Sequence, residues 1–407
     1  MNQEEQWLLP DGVEEVLPER ARAIEHLRRR ALDLYQSWGY ELVFPPLIEF
    51  LESLLNGAGR DLERETFKIT DQLSGRLMGV RADMTPQVAR MDAHSLRHRA
   101  PTRLCYCSTA LRARPAQAGG SRVPYQLGVE LFGHDGAESD LEVILLMLET
   151  MALAGIQDQV VLDLGHVGIF RSLVAACDLT AADQARLEDI YLRKARTELD
   201  AFLAERTLPA AASRALAELP FLDGDSAVFE QARALLADFP EALAALAALE
   251  ALAEALAGCP ARLHLDLGEL RGYHYHTGVV LAVYLPGDSE PLAKGGRYDH
   301  IGEVFGRARP ATGFSADLKK LAALAAVPRG GASCPMPPLP LKWRHCARTA
   351  NVWCWLCPAP ITTPANWGVT GNWWPPTMAG PFNPFPPEQR SSDSHGQERR
   401  NSRYPMG

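Results

Sequence analysis

The chain has no run of apolar residues long enough to cross a bilayer, so no membrane association is expected. Its opening, Met1 to Gln6, is polar and acidic rather than a secretory signal. A basic surplus is also missing. Its 41 Lys and Arg stand against 50 Asp and Glu, a net charge of -9. A general nucleic-acid surface would be basic, so no nucleic-acid partner is expected beyond what a local patch could hold. The cysteines before residue 330 are scattered and suggest no disulfide framework. A cytoplasmic location is the default expectation. With 407 residues, two or three domains and an ample core are possible.

Two strand-like segments carry the chemistry. In Arg271-Gly272-Tyr273-His274-Tyr275-His276-Thr277-Gly278 the alternation predicts a strand with Arg271, Tyr273 and Tyr275 on one face. A guanidinium grips carboxylates in a two-pronged fork, and ring walls beside it would suit a small planar ligand. An amphipathic strand with an edge arginine would show the same pattern. In Val123 to Gly133, residues Tyr125, Leu127, Val129 and Leu131 face a core, and Gln126, Gly128 and Glu130 face away. Gly128 is expected to leave a hollow between an amide and a carboxylate. Glu130 would hold an ammonium group and Gln126 would orient it. A carboxylate and a guanidinium on neighbouring strands would together fit a free amino acid. A strand with one solvated face is the plainer alternative.

The rest of the chain gives organisation. Ile24, Leu27, Ala31, Leu34, Tyr35 and Trp38 recur at helical spacing, with Gly39 as the stop. Tyr40 to Phe44 reads as a strand ended by Pro45-Pro46. Thr85 and Pro86 suit the N-cap and first position of a helix reaching His94, and Asp83 remains the better candidate for an ammonium contact. Ser139-Asp140-Leu141-Glu142 has the pattern of a capping box for a helix running to Gly155. Thr180-Ala181-Ala182-Asp183 opens an alanine- and leucine-rich block, helical to about Gly258, with no evident chemistry. Lys294-Gly295-Gly296-Arg297 lacks the Lys-Ser/Thr of a P-loop, so a tight hairpin is expected there rather than a phosphate cradle. Strands and helices do not alternate regularly, which favours an antiparallel sheet with segregated helices, an α+β fold.

From about Pro328 the chain changes character. Half of its 30 prolines and six of its eight tryptophans lie beyond that point. Such a segment sustains neither helices nor central strands, and disorder is expected. A divergent tail and an altered reading frame near residue 330 both fit, and the abruptness favours the second. Cys354 and Cys357, with Cys334 and Cys346 upstream, are spaced too irregularly for a zinc site, so no metal is expected.

Four separated motifs resemble those of histidyl-tRNA synthetases, in the same order, between about Leu9 and Leu324. Arg271 to Gly278 looks like the histidine-specific arginine motif. Lys294 to Asp299 looks like the glycine-rich strand turn whose tyrosine closes on the imidazole. Leu111-Arg112 through Glu130 resembles class II motif 2. Arg81 to Thr85 resembles the segment that contacts the amino group. The resemblance implies a class II synthetase-like sheet flanked by helices, with motif 1 near the first helix building a dimer. It implies a histidine site of Asp83, Thr85, Arg112, Gln126, Glu130, Arg271, Tyr275, His276 and Tyr298.

The departures are as informative. Arg112 is followed by Ala113 and Arg114, where a synthetase has a glutamate that reads adenine. Lys319-Lys320 stands where a synthetase has Glu-Arg, and a lysine keeps charge without the planar fork. Asp317 adds a negative charge near the phosphates, and His276 replaces a tyrosine. An amino-acid site is kept while the nucleotide site is dismantled. That combination resembles ATP phosphoribosyltransferase regulatory subunits, a synthetase paralogue of histidine biosynthesis, as do Leu9 to Pro18 and Asp163 to Phe170. The resemblance implies no aminoacylation, no catalytic residue, no cofactor and no metal. It also implies self-association as a dimer within a hetero-octamer, with a short-form catalytic subunit as partner and histidine as feedback inhibitor. The domains would be 1–179 and 259–327 for the synthetase-like core, 180–258 for the helical insertion, and 328–407 for the tail. An active histidyl-tRNA synthetase and a free-standing histidine sensor are the competing readings.

Overall fold

The computed structural model describes residues 7–56, 59–115 and 120–325, so the expectations for the tail and its cysteines fall outside the described residues. The first helix, α1 (Pro18–Ser37), buries Ile24, Leu27, Ala31, Leu34 and Tyr35, the stripe its spacing predicts. Gly39 ends it at φ +85°, where a residue with a Cβ would be strained. The strand expected over Tyr40 to Phe44 shrinks to β1 (Glu41–Leu42), because two prolines follow within four residues. A small sheet comes next, formed by β2 (Ile48–Phe50), β3 (Phe67–Thr70) and β4 (Leu77–Val80) in the order β2-β4-β3. Two short helices, α2 (Leu51–Leu54) and α3 (Gly59–Glu65), lie between its strands in sequence.

Helix α4 (Thr85–Arg90) leads to the central strands β5 (Thr102–Thr109) and β6 (Tyr125–Phe132), then to α5 (Ala137–Leu153), β7 (Val161–His166) and α6 (Val167–Ala175). Five helices follow, α7 (Ala181–Leu192), α8 (Arg196–Ala204), α9 (Ala210–Glu218), α10 (Val228–Leu235) and α11 (Pro240–Ala255), with β8 (Asp223–Gly224) among them. The Thr180 hydroxyl accepts from the Asp183 amide at 3.1 Å, the N-cap its sequence predicts. The chain returns through β9 (Arg262–Asp266), β10 (Val279–Tyr284), β11 (Ala293–Arg297), β12 (Ala311–Asp317) and α12 (Leu318–Leu324).

Nine strands join in the order β1-β5-β6-β12-β11-β10-β7-β9-β8. The middle, from β5 to β7, is antiparallel throughout, and only the β1–β5 and β7–β9 pairs are parallel. Leu127, Val129 and Leu131 of β6 join Phe314, Leu281 and Leu164 in one apolar cluster with α1, α5 and α12. The expected inward set of β6 is therefore correct. Helices on one face leave the other face of the sheet to be lined by glycines, polar residues and a second, smaller apolar cluster.

Three local expectations are corrected. Lys294 to Arg297 is not a hairpin but the central strand β11, paired with β10 and β12. Its glycines serve close approach, since a Cβ on Gly296 would lie 2.8 Å from the His276 ring. Arg271 to Gly278 is a succession of turns, not a strand. Gly272 takes φ +70°, and the Tyr275 and His276 amides both donate back to its carbonyl at 2.8 Å. Ser139 to Glu142 is not a capping box, because α5 starts two residues before Ser139, after Gly136. Arg297 overrides it. Its guanidinium donates to Ser139 Oγ at 2.7 Å, Asp140 Oδ2 at 3.0 Å and the Gly136 carbonyl at 3.1 Å.

This buried guanidinium fastens β11 to the start of α5. Removing one member of a buried ion pair strands the other charge, at a cost of about 3–5 kcal/mol. Arg297→Met is therefore expected to lower the unfolding free energy, measured by urea denaturation, by that order, with part recovered in Arg297→Met/Asp140→Leu. Equal stability of Arg297→Met and the parent would refute this anchoring role.

Candidate functional site

Directly opposed residues of a sheet share a face, so the register maps the surface opposite α1 and α5. Glu130 pairs with Gly313, Gly313 with Gly296, and Gly296 with Val280. Two residues along, Tyr106, Gly128, Ser315, Lys294, Ala282 and Asp163 form the next row. A second apolar cluster covers part of this face, with Met84, Val88, Tyr106, Phe132 and Tyr298, and Tyr275 packed against it.

Glu130 is the centre of the arrangement and is 1% exposed. The Tyr106 hydroxyl donates to its Oε1 at 2.9 Å, and the Tyr298 hydroxyl donates to its Oε2. Thr85 Oγ1 lies 3.2 Å from the Tyr106 hydroxyl. Gln126 accepts from the Met84 amide at 3.0 Å and donates to Asp83 at 3.1 Å. Asp83 also accepts from the Thr85 amide at 2.8 Å. Asp83, not the Thr85 hydroxyl, thus holds the start of α4, and the helix begins at Thr85, one residue earlier than expected. The Tyr275 and Tyr298 rings lie 4.9 Å apart, and His276 and Tyr298 lie 6.4 Å apart. The Tyr275 hydroxyl and His276 Nδ1 are buried and have no hydrogen-bond partner among the described residues.

The electrostatics follow from burial. Desolvation pushes the Glu130 carboxyl well above its usual range; the Thr85 and Tyr106 hydroxyls oppose this and the nearby Asp83 charge adds to it. Burial pulls His276 down to about 4, so its ring is neutral near pH 7. Burial also raises the Tyr275 phenol, with the Glu130 and Asp83 charges adding to it. The site therefore offers two carboxyl groups, an amide and neutral rings, which suits a small ligand whose own N–H groups carry positive charge.

Seven of the nine expected residues come together here: Asp83, Thr85, Gln126, Glu130, Tyr275, His276 and Tyr298. Arg112 pairs instead with Glu65 at 3.7 Å. Arg271 pairs with Asp163 at 3.0 Å, and through Nε with Glu269 at 2.7 Å. Tyr273 and Tyr275 do not share a face, since Tyr273 packs on Phe170 at 5.3 Å. Nor is Gly128 a hollow, because a Cβ there would lie 2.5 Å from the Tyr106 hydroxyl. Tyr106 is the residue that sequence reasoning missed. Its signal was a glycine on one strand, which leaves room for a ring from the next.

The far end of the face differs. Lys319 Nζ donates to the Val123 carbonyl at 2.8 Å and lies 3.6 Å from Glu14, while Lys320 pairs with Glu290. Asp317 accepts from the Lys319 and Tyr125 amides at 3.0 and 3.3 Å, which caps α12.

The fold and this face are those of a class II synthetase, and the chain belongs to the histidyl-tRNA synthetase family, whose model matches residues 12–321. Within that family it belongs with the ATP phosphoribosyltransferase regulatory subunits. It is 57% identical over 338 residues to the regulatory subunit of Thioalkalivibrio sulfidiphilus, covering 81% of this chain and 85% of the relative. To that of Chromohalobacter salexigens it is 54% identical over 323 residues, covering 79% and 82%. A solved ATP phosphoribosyltransferase regulatory subunit/histidyl-tRNA synthetase from Bacillus halodurans superposes with TM-score 0.71 at 30% identity, covering 79% of this chain and 84% of that one. Histidyl-tRNA synthetase from Nostoc shares the fold, at TM-score 0.64 and 20% identity, covering 78% and 74%.

A raised carboxyl means that the folded chain keeps a proton at pH values where the unfolded chain has released it. Stability from this group is complete below about 4.5 and falls as pH rises through the folded-state value. Glu130→Gln is therefore expected to raise the unfolding free energy at about pH 8 by at least about 1 kcal/mol, one pKa unit being about 1.4 kcal/mol. The gain should vanish near pH 4. A variant less stable than the parent at pH 8 would contradict the protonation argument.

Proposed function

We propose that this chain is the regulatory subunit of ATP phosphoribosyltransferase and acts in the first step of histidine biosynthesis without catalysing it. In this reading it binds free histidine as the feedback signal and assembles with a short-form catalytic subunit in a cytoplasmic hetero-octamer. The identity of 57% over most of the Thioalkalivibrio regulatory subunit supports the assignment. The single structural observation that carries the regulatory reading is the contrast along one sheet face. The amino-acid end is assembled around Glu130, while the lysines at the nucleotide end are engaged by Val123, Glu14 and Glu290.

Histidine fits the first end by its chemistry. Its ammonium group would meet Asp83, Thr85 and Gln126, and its imidazole would meet Glu130 against the paired Tyr275 and Tyr298 rings, with His276 beside them. Arg112 and Arg271, each paired with an acid, are second-rank contacts in this scheme. The division into a synthetase-like core (1–179 and 259–327) and a helical insertion (180–258) belongs to the same proposal. An active synthetase is disfavoured because adenylate formation needs fixed cations directed at phosphates. Removing transition-state donors commonly costs orders of magnitude in rate.

Reconstitution tests the function. Full-length chain added to a short-form ATP phosphoribosyltransferase catalytic subunit is expected to co-purify with it, raise its activity and make that activity histidine-sensitive. Histidine-dependent pyrophosphate exchange should stay at background. Failure to associate, or robust exchange, would overturn the proposal. Glu130→Gln is expected to weaken histidine binding more than tenfold by calorimetry, since truncating a desolvated charge contact costs about 2–5 kcal/mol. Unchanged affinity would place histidine elsewhere.

A further inference from the structure

The sequence points to Arg271 for a ligand carboxylate, but its guanidinium is already engaged. Its main-chain amide donates to Glu269 at 2.6 Å, its Nε to the same carboxylate at 2.7 Å, and its Nη2 to Asp163 at 3.0 Å. Other cations near this face are also engaged. Arg112 faces Glu65, Lys320 faces Glu290, and Arg81 donates to the Thr109 and Pro45 carbonyls and to Ser108.

Lys294 is different. It is exposed, and among the described residues no carboxylate pairs with it. The register puts its side chain on the same face as Glu130. Lys294 opposes Ser315, Ser315 opposes Gly128, and Lys294 is two residues from Gly296 and four from Tyr298. Strand β11 is two strands from β6, about 10 Å across the sheet, and the Lys294 row is about 7 Å along the strand from the Glu130 row. Between them lie Gly313, Gly296 and Ser315, which keep the floor low. Its charge is felt at the site, for it helps to hold His276 neutral. A lysine ammonium on a flexible four-carbon stem suits a carboxylate approached from an open face.

We infer that Lys294, rather than Arg271, takes the carboxylate of the histidine whose imidazole and ammonium group Glu130 and Asp83 hold; this rests on the histidine-binding reading above. Arg271 is then a positioning residue. Its ties to Glu269 and Asp163 fix the turn that carries Tyr275 and His276 into the site.

The test compares histidine with histamine, which keeps the imidazole and the ammonium group but lacks the carboxylate, by calorimetry on the full-length chain. Lys294→Ala is expected to weaken histidine at least about tenfold and leave histamine within about twofold, the pattern of losing one charge contact. Lys294→Arg should restore most of the histidine affinity. Arg271→Gln should weaken both ligands alike. Lys294 is exposed, so loss of folding is not expected to cloud the result. The inference is overturned if Lys294→Ala leaves histidine unchanged or weakens both ligands equally. It is also overturned if Arg271→Gln or Arg112→Ala selectively loses histidine. A parent protein that binds neither ligand, or a Glu130→Gln variant that binds both as tightly as the parent, would instead overturn the histidine-binding reading and the inference with it.

Discussion

Glu130 is a carboxyl group removed from water with no cation beside it among the described residues, and much of the surrounding sequence is constrained by that. Both of its oxygens are met by phenol hydroxyls, from Tyr106 on β5 and from Tyr298 just beyond β11. Those rings need space. A Cβ at Gly128 would collide with Tyr106, and one at Gly313 would overlap Glu130 itself. A buried polar group left unsatisfied costs more than a made hydrogen bond returns. The glycines of β6 and β12 and the two tyrosines are therefore one device, spread over four strands, that keeps a single carboxylate tolerable in a dry place.

Periodicity made some of this legible in the sequence. The inward set of β6, the buried stripe of α1 and the Thr180 cap follow from spacing of two, spacing of 3.6 and a local hydrogen bond. Seven of nine expected site residues meet because motif order and strand alternation already constrain them. The failures have a common cause, which is tertiary demand on glycine and on buried charge. Gly272 lets the chain turn where alternation suggested a strand, so Tyr273 joins the helical core and Tyr275 joins the site. Glycines 295 and 296 read as a turn, yet they lie in a strand crowded from both sides. Ser139 has the sequence of a cap, yet its hydroxyl accepts from Arg297, a residue 158 positions later. No local window contains that partner.

The nucleotide end shows substitutions acting through their new partners rather than through charge alone. Lys319 and Lys320 carry two positive charges where the synthetase pattern has Glu-Arg, so a tally of charge says nothing of what each ammonium meets. In the structure one ammonium is bonded to a carbonyl and the other to a glutamate. The N-terminal segment adds to this. The Arg122 amide donates to the Gly12 carbonyl at 2.8 Å, and Glu14 approaches Lys319, so residues before α1 lie along the same loop. Asp317 is desolvated and spent on two backbone amides, which makes it a helix cap.

Function and stability are opposed at this site. Burial, with the nearby Asp83 charge adding to it, holds the Glu130 carboxyl above its usual range, so the site favours a protonated Glu130 and is less stable at higher pH. A ligand that brings N–H donors and positive charge relieves that cost, and its binding free energy then adds to the stability of the folded chain. Neutral rings alone would not produce this linkage; it requires a carboxylate kept from water. The turn from Arg271 to His276 extends the same logic outward. Arg171 of α6 donates to the His276 carbonyl at 3.0 Å, and His274 lies 2.9 Å from Glu188 of α7. The turn that packs Tyr275 and His276 beside Tyr298 is thus fastened to helices beyond the sheet.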